Sequence, residues 1–374
     1  MMGNKWVMSL FKLLSLSQTI VSVSGVLATA FILGIGIDSD LAPLWATVLT
    51  VVLIILSTCI HEGGHYLGAK WSHMTVLAVR VAAVELLPLR RGWRMRWSPQ
   101  PKRSKLGGYI MAAADPCLPM SRQFIVMIVM GPLANLVVGC LCIGVGFSSQ
   151  ETMRMFMLAL GVSNIAMGVS NLIPTYLGGS SDGAGLIAWC LVKEEQIPML
   201  ANARLLALSV AGTPSEELPD DDIALLTSEP MPAPLLAIWY RLNALQIQGD
   251  WHAATQQRHD LQTLLEASSH NLGSLALLIS ILQIELGFSK AMLLRRTGEL
   301  RDDLLSDEVD WCCPSLRPRC LAFREFVAGN AVAAEKHLER SLSQARNSPN
   351  LSLSKSETRL ASHIRELGKG ELDR

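Results

Sequence analysis

The sequence predicts an α-helical membrane protein with about four transmembrane helices and a membrane-associated β-hairpin loop, followed by an all-α cytoplasmic domain built as helical repeats or a bundle. Of its 374 residues, 50% are hydrophobic and 17% are charged, whereas soluble domains carry about 25% charged residues. The net charge of zero conceals two different halves. Residues 1–199 hold 14 Lys and Arg against 9 Asp and Glu, and residues 200–374 hold 18 against 23. This balance gives no electrostatic basis for binding nucleic acid.

Four charge-free apolar stretches are long enough to cross a bilayer, which takes about 20 residues. They are residues 13–37, 41–60, 123–150 and 155–181. We expect the first to be an additional N-terminal transmembrane helix within residues 1–40. A cleaved signal peptide ending near Ala28-Thr29-Ala30 is the alternative. The apolar run continues past that cleavage point, which favours a helix that spans the membrane.

Between the second and third stretches, residues 70–115 carry nine Lys and Arg, opposed only by Glu85 and Asp115. Because short loops rich in Lys and Arg stay in the cytoplasm, we expect this loop, the N-terminus and everything after the fourth stretch to lie inside. The sequence therefore predicts a multi-pass protein of the inner (cytoplasmic) membrane, in contact with the lipid bilayer. Eight cysteines, several within apolar runs, fit a reducing compartment better than a disulfide framework.

The second apolar stretch ends in a motif that indicates a metal site, His61-Glu62-Gly63-Gly64-His65. Two histidines four residues apart project from one face of a helix, which suits two imidazole ligands of a single Zn2+. Glu62 is then placed to take a proton from the attacking water. The chain's 8 His and 18 Glu give a chance expectation for His-Glu-x-x-His of roughly 0.01. The alternative, polar residues that merely cap a membrane helix, is costly next to an apolar span.

A catalytic zinc site needs a third protein ligand and one open position. Asp182 is the strongest candidate, because it is the first acidic residue after the fourth stretch and the topology returns it to the same membrane face as His61. Glu85 and Asp115 are weaker candidates. Asp182 could instead cap a helix that starts at Ala184.

These residues resemble the site-2 protease family of intramembrane zinc metalloproteases, peptidase family M50. The resemblance covers about residues 42–190 and also rests on Gly131-Pro132-Leu133-Ala134-Asn135 and on Asn171-Leu172-Ile173-Pro174 followed by Asp182-Gly183. It implies that His61, His65 and Asp182 bind one Zn2+ and that Glu62 is the general base. It also implies that Asn171 and Asn135 lie near the substrate. Seven residues, Gly178 and Gly179 among them, separate Pro174 from Asp182, more than is usual in the family.

The basic loop has the pattern of a β-hairpin. Residues 76–84 are rich in Val and Ala, Pro88 and Gly92 supply breaks, and residues 93–97 alternate Trp or Met with Arg. The family resemblance implies a membrane-associated sheet that ends at Gly107-Gly108-Tyr109 and holds an unwound substrate along its edge. Gly108 and Tyr109 would then contact the substrate. Alternatively, the loop only fixes the orientation of the protein in the membrane and contacts lipid.

The pattern after residue 200 predicts helices that each have one polar face. We expect a linker over residues 196–230, because Glu216, Glu217 and Asp220–Asp222 accompany two prolines. In residues 231–374, helix–Gly–helix joints at Gly249, Gly287 and Gly329 are spaced by 38 and 42 residues. They loosely resemble tetratricopeptide hairpins, which would offer a groove to a protein partner. An ordinary helical bundle is the alternative.

Together these features predict an intramembrane zinc metalloendopeptidase, with its core in residues 41–195, that cleaves a transmembrane protein substrate. One rival is a non-catalytic membrane scaffold or adaptor with a structural metal site, which has no need of Glu62. Another is a transporter that uses the intramembrane His, Glu and Asp as an ion path. The absence of inverted repeats in the sequence disfavours the transporter.

Overall fold

The computed structural model describes residues 3–98, 107–175, 180–191, 198–268 and 272–372. The chain divides into two compact units. The first comprises Met1–Pro88 and Trp93–Glu194, and the second comprises Leu89–Gly92 and Glu195–Arg374. Part of the predicted basic loop, residues 99–106, and Gly178 and Gly179 lie outside the described residues.

The first unit is built on long apolar helices. Its helices are α1 (Gly3–Gly36), α2 (Ala42–Trp71), α3 (Met120–Phe147), α4 (Glu151–Leu172) and the shorter α5 (Asp182–Leu191). The first four overlap the four predicted stretches, and each is long and apolar enough to cross a membrane. Large apolar side chains such as Leu27, Phe31 and Leu141 are exposed on them, as expected where helices face lipid rather than water.

Small residues let these helices approach closely. A Cβ at Gly25 of α1 would overlap the side chain of Ala166 on α4, and a Cβ at Gly64 of α2 would overlap the carbonyl oxygen of Met130 on α3. Between apolar helices in lipid, such close van der Waals packing replaces the hydrophobic effect as the source of association. Gly64 of the histidine motif therefore lets α2 pack closely against α3.

The predicted hairpin is part of a larger sheet. Strands β1 (Thr75–Val81), β2 (Val84–Pro88), β3 (Trp93–Trp97) and β4 (Gly108–Ala113) form one antiparallel sheet in the order β3-β2-β1-β4. Strands β2 and β3 are the expected hairpin, with Val84 opposite Trp97. Strand β4 begins at the Gly108-Tyr109 element, where the family resemblance implies part of the sheet. It pairs with β1 through Val81 and Gly108 and forms one edge of the described sheet.

The second unit is all-α over its described residues. Its helices are α6 (Pro198–Ala211), α7 (Asp220–Thr227), α8 (Ala233–Gln248), α9 (Trp251–Ala267), α10 (Ala276–Leu294), α11 (Asp307–Cys312), α12 (Leu316–Val327), α13 (Ala331–Asn347) and α14 (Leu351–Leu372). Its largest cluster of buried apolar side chains contains Phe288, Phe323 and Leu338.

The segment predicted as a linker, residues 196–230, differs from that expectation. It contains α6 and α7, whose Leu205, Ile223 and Leu226 are buried. Arg204 pairs with Asp222 through two hydrogen bonds. The acidic run supplies the first turn of α7, where carboxylates interact favourably with the helix dipole. These charges therefore belong to a folded helix rather than to a solvated connection.

The predicted repeat of glycine joints is wrong at its second member. Gly249 and Gly329, with φ of 78° and 80°, do connect α8 to α9 and α12 to α13. Gly287, however, lies in the middle of α10 and is buried. A Cβ there would sit 2.8 Å from the carbonyl oxygen of Glu299, so this glycine serves close packing rather than a turn.

By length and composition, α10 together with the turn before it is a fifth helix able to cross a membrane, over Leu272–Leu294. Unlike the four predicted stretches, it carries Glu285 and Lys290. Glu285 is buried and pairs with Arg319. Leu282 and Phe288 are fully buried in the apolar core of the second unit.

Candidate metal centre

Three potential ligand atoms converge where α2 meets the start of α5. The Nε2 atoms of His61 and His65 lie 3.1 Å apart. The Nε2 of His61 lies 3.0 Å from Oδ2 of Asp182, and that of His65 lies 3.4 Å from Oδ1 of the same carboxylate. The two imidazole planes are inclined by 87°, so the rings approach a common point from different directions. All three predicted ligands are thus brought together.

These separations suit a tetrahedral zinc site. Ligand atoms about 2.0–2.1 Å from Zn2+ in tetrahedral geometry lie about 3.3 Å from one another. Among the described residues, His61, His65 and Asp182 form the group of three whose ligand atoms are mutually within metal-binding reach. The donor set of two imidazoles and a carboxylate is one that zinc accepts.

His65 presents a lone pair at Nε2. Its Nδ1 lies 2.8 Å from the carbonyl oxygen of Met127 on α3. A carbonyl oxygen can only accept, so Nδ1 carries the proton and donates it. Gly131 makes room for this arrangement, because a Cβ there would overlap the imidazole ring of His65.

The tautomer of His61 is set by a chain of amides. Asn135 donates from Nδ2 to the Ser57 carbonyl oxygen at 3.1 Å and to Oδ1 of Asn164 at 3.1 Å. Its Oδ1 is therefore left to accept from Nδ1 of His61 at 3.0 Å. Asn164 in turn donates to the carbonyl oxygen of Leu160 at 2.9 Å. The Nε2 of His61, like that of His65, faces Asp182 with a lone pair.

Two lone pairs and a carboxylate oxygen therefore face one another in a buried setting, since His61 and His65 are 6% and 8% exposed. Electron-rich atoms at this separation repel strongly where the dielectric is low. The arrangement needs positive charge at its centre, and a divalent cation would supply it.

Glu62 lies beside the three ligand atoms and is 5% exposed. Its Oε2 is buried and has no hydrogen-bond partner within the described part of the chain. Strand β4 packs against it, because a Cβ at Gly108 would lie 2.6 Å from Cγ of Glu62. A buried carboxylate oxygen without a partner is energetically costly and is suited to accept a proton.

A cavity of about 710 Å³ opens onto the motif. Besides Glu62 and the three ligand residues, it is lined by polar side chains of α1 and α4: Gln18, Thr19, Ser22, Ser163, Ser170 and Asn171. Gly108 and Tyr109 of β4 also line it. The phenol of Tyr109 donates to Oε1 of Glu85 at 3.1 Å.

The predicted substrate residues therefore fall into two groups. Asn171, Gly108 and Tyr109 line the cavity, whereas Asn135 is fully buried and all its described polar contacts are with protein groups. The expectation that Asn135 contacts substrate is corrected. Its amide oxygen accepts from His61, and its amide nitrogen donates to Ser57 and Asn164. Asn135 therefore orients a metal ligand from the neighbouring helix α3.

The competing assignments for the third ligand also lose support. The hydroxyl that caps α5 belongs to Ser181, which accepts from the amide N–H of Ala184 at 3.2 Å, so the carboxylate of Asp182 is not the cap. Glu85 is engaged within the sheet by Arg96. One oxygen of Asp115 accepts from the amide N–H of Cys117 at 2.8 Å.

Sequence reasoning missed Asn164 and the polar face of α1. Asn164 is an amide within an apolar span, and such groups are rarely tolerated in a membrane without a role. Gln18, Thr19 and Ser22 recur at helical spacing in an otherwise apolar stretch, which is a comparable signal. Asn164 bonds to Asn135 and Gln18 bonds to Thr175, and the sequence alone does not pair such distant segments.

Comparison with known proteins finds a family similarity over part of the chain. Residues 49–152 match the sequence model of peptidase family M50. This segment contains His61, Glu62 and His65 together with the four strands and Asn135, and it ends before Asn171 and Asp182. No curated protein and no solved structure matches the chain. Over residues 49–152, therefore, the chain is similar to peptidase family M50.

Proposed function

We propose that the protein is an intramembrane zinc metalloendopeptidase that hydrolyses a peptide bond in or near a transmembrane segment of a protein substrate. The observation that carries the proposal is the convergence of His61, His65 and Asp182 within 3.4 Å of one another, with a buried, unpartnered Glu62 oxygen beside them. A structural metal site would need the three ligands but not Glu62.

One Zn2+ per chain would be held by Nε2 of His61, Nε2 of His65 and a carboxylate oxygen of Asp182. When bound, zinc supplies a Lewis acid for the scissile carbonyl and for the attacking water. Met127 and Asn135 hold the two imidazoles in the tautomer that can donate a lone pair. Hydrogen bonds of this kind orient the ligands of metal sites and raise their basicity.

Glu62 acts as general base and then as general acid. Its carboxylate takes a proton from the attacking water and delivers it to the amine that leaves. Gly108 of β4 packs directly against the Glu62 side chain, and both residues line the cavity.

The substrate binds in extended form along β4. A transmembrane helix hides its amides in internal hydrogen bonds, so the scissile bond must first be unwound. Strand β4 lies at the edge of the described sheet and contacts Glu62 through Gly108, and an edge strand can pair with an added strand. Unwinding breaks the internal hydrogen bonds of the substrate helix. The hydroxyls and amides that line the cavity, such as those of Ser170 and Asn171, would bond to the substrate N–H and C=O groups that are released.

The excess of Lys and Arg in the loop after α2 favours a cytoplasmic position for that loop, for both termini and for the second unit. We therefore place the protein in the inner membrane, in contact with lipid. The helices of the second unit would offer a surface to a protein partner.

The test is hydrolysis of a transmembrane peptide by the purified full chain in lipid vesicles, before and after zinc is removed and restored. The proposal expects cleavage that depends on zinc and is lost in Glu62→Gln. Zinc binding without any cleavage, or cleavage that survives Glu62→Gln, would instead favour a membrane scaffold with a structural metal site.

A further inference from the structure

We infer that the N-terminal helix α1 supports the metal centre, because Gln18 holds Asp182 in ligating position through Thr175 and Ser181. The inference rests on the proposed zinc site. Gln18, Thr175 and Ser181 all lie outside residues 49–152, the segment that matches peptidase family M50. In the described contacts none of the three bonds to a ligand atom, so all act as positioning residues.

Ser181 joins the start of α5 to the end of α4. Its hydroxyl donates to the carbonyl oxygen of Ile173 at 2.8 Å and accepts from the amide N–H groups of Thr175 at 3.0 Å and Ala184 at 3.2 Å. The amide N–H of Ser181 donates to the carbonyl oxygen of Thr175 at 3.0 Å. A hydroxyl offers one donor and two acceptor positions, so the bonding capacity of Ser181 is fully used.

Asp182 is the first residue of the helix that Ser181 caps. The next residue, Gly183, packs so closely on α4 that a Cβ there would overlap the carbonyl oxygen of Leu172. The backbone of Asp182 is therefore held on both sides. Its carboxylate reaches the Nε2 atoms of His61 and His65 from this fixed position.

Thr175 connects this arrangement to α1. Its hydroxyl, on a residue 2% exposed, donates to Oε1 of Gln18 at 2.8 Å. Because Thr175 is almost completely buried, its hydroxyl would be left without a partner if the Gln18 side chain were removed, which is energetically costly. A glutamine within an apolar helix is costly unless its amide is used, and this contact accounts for its presence.

Removing the Gln18–Thr175 bond should therefore loosen the Thr175–Ser181 contacts and the placement of Asp182. Residues that orient metal ligands typically change metal affinity by about 10- to 100-fold. We expect Gln18→Leu and Thr175→Val each to lower the Zn2+ affinity of the full chain about tenfold. Because both remove the same bond, the double variant should lose no more than either single one.

The experiment measures Zn2+ affinity of the full chain in detergent by competition with a chromophoric chelator, and the absorption spectrum after Co2+ replaces Zn2+. Thr175→Ser keeps the hydroxyl and should restore both affinity and spectrum. Ser17→Ala is the matched control, since the described hydrogen bond of its hydroxyl stays within α1, to the carbonyl oxygen of Leu13. Gln18→Asn retains an amide but shortens its reach, and tests the same bond if the apolar variants do not fold.

Affinities and Co2+ spectra of Gln18→Asn and Thr175→Val equal to those of Ser17→Ala would overturn the inference, as would losses that multiply in the double variant. These outcomes are separable from failure of the proposed function. If the wild-type chain binds no Zn2+, or if Asp182→Ala binds it as tightly, the metal site itself is wrong.

Discussion

Nδ1 of His61 on α2 lies 3.0 Å from Oδ1 of Asn135 on α3, 74 positions further along the chain. Because Asn135 uses its Nδ2 as a donor to two other acceptors, this contact determines which nitrogen of His61 is free to bind a metal. The geometry of the centre thus depends on an amide that touches neither the cavity nor the metal position.

Replacing Asn135 by Leu should lower Zn2+ affinity by about 10- to 100-fold, since His61 would lose the acceptor that sets its tautomer. Zinc retained after dialysis against graded chelator measures the effect. Asn171→Leu is the matched control, because Asn171 lines the cavity without bonding to a predicted ligand in the described contacts. Equal zinc retention by the two variants would contradict the role given to Asn135.

Glu62→Gln should retain one Zn2+ per chain and lose cleavage by about 10²–10⁴-fold, the usual contribution of general acid–base catalysis. An amide of the same shape keeps the packing against Gly108 but cannot take a proton from water. Metal analysis and hydrolysis of a transmembrane peptide in vesicles are measured on the same sample. If the variant loses its zinc, Glu62 is needed for metal binding rather than for proton transfer.

Gly131→Ala should displace His65 and reduce zinc binding, because the added Cβ would overlap the imidazole ring. Gly144→Ala on the same helix is the matched control, since a Cβ there meets nothing within 4 Å. In a helix interior, Ala is intrinsically preferred to Gly by about 1 kcal/mol, so the control should fold at least as well. Similar zinc contents in the two variants would refute the close packing of His65 on α3.

Arg319→Met should destabilise the second unit by about 3–5 kcal/mol. The guanidinium of Arg319 pairs with Glu285 and Glu357, and all three side chains are at most 5% exposed. Removing it leaves two buried carboxylates without their counter-charge. Urea unfolding of the full chain followed by tryptophan fluorescence measures the change.

Arg301→Met is the control for that measurement. Arg301 and Asp303 form an ion pair whose side chains are 62% and 61% exposed, and solvent screens such pairs. Its unfolding midpoint should match that of the wild-type chain. A comparable loss in both variants would mean that burial of the Arg319 pairs is unimportant.

The histidine motif was predictable because spacing along a single helix is enough to place His61 and His65 on one face. Asp182 was predictable from topology, since alternating spans return it to the membrane face of His61. The family resemblance assigns Asn135 to the substrate. Because α3 is apolar on all sides, its sequence carries no signal of how the helix is rotated about its axis that could have corrected this assignment. Gly287 was assigned to a turn because a glycine used for packing and one used for a turn look alike in sequence.

The sequence by itself determined which segments are apolar enough to enter a membrane, where the motif lies on its helix, and that a basic loop of alternating pattern follows. These properties depend on local composition and periodicity. Only the tertiary structure decided that α6 and α7 are folded rather than a linker, that Ser181 and not Asp182 caps α5, and that Gln18 reaches Thr175. The cap depends on the backbone conformation of residues 181–184. The other two depend on contacts between segments distant in the chain, whose free energy of formation is not encoded in either segment alone.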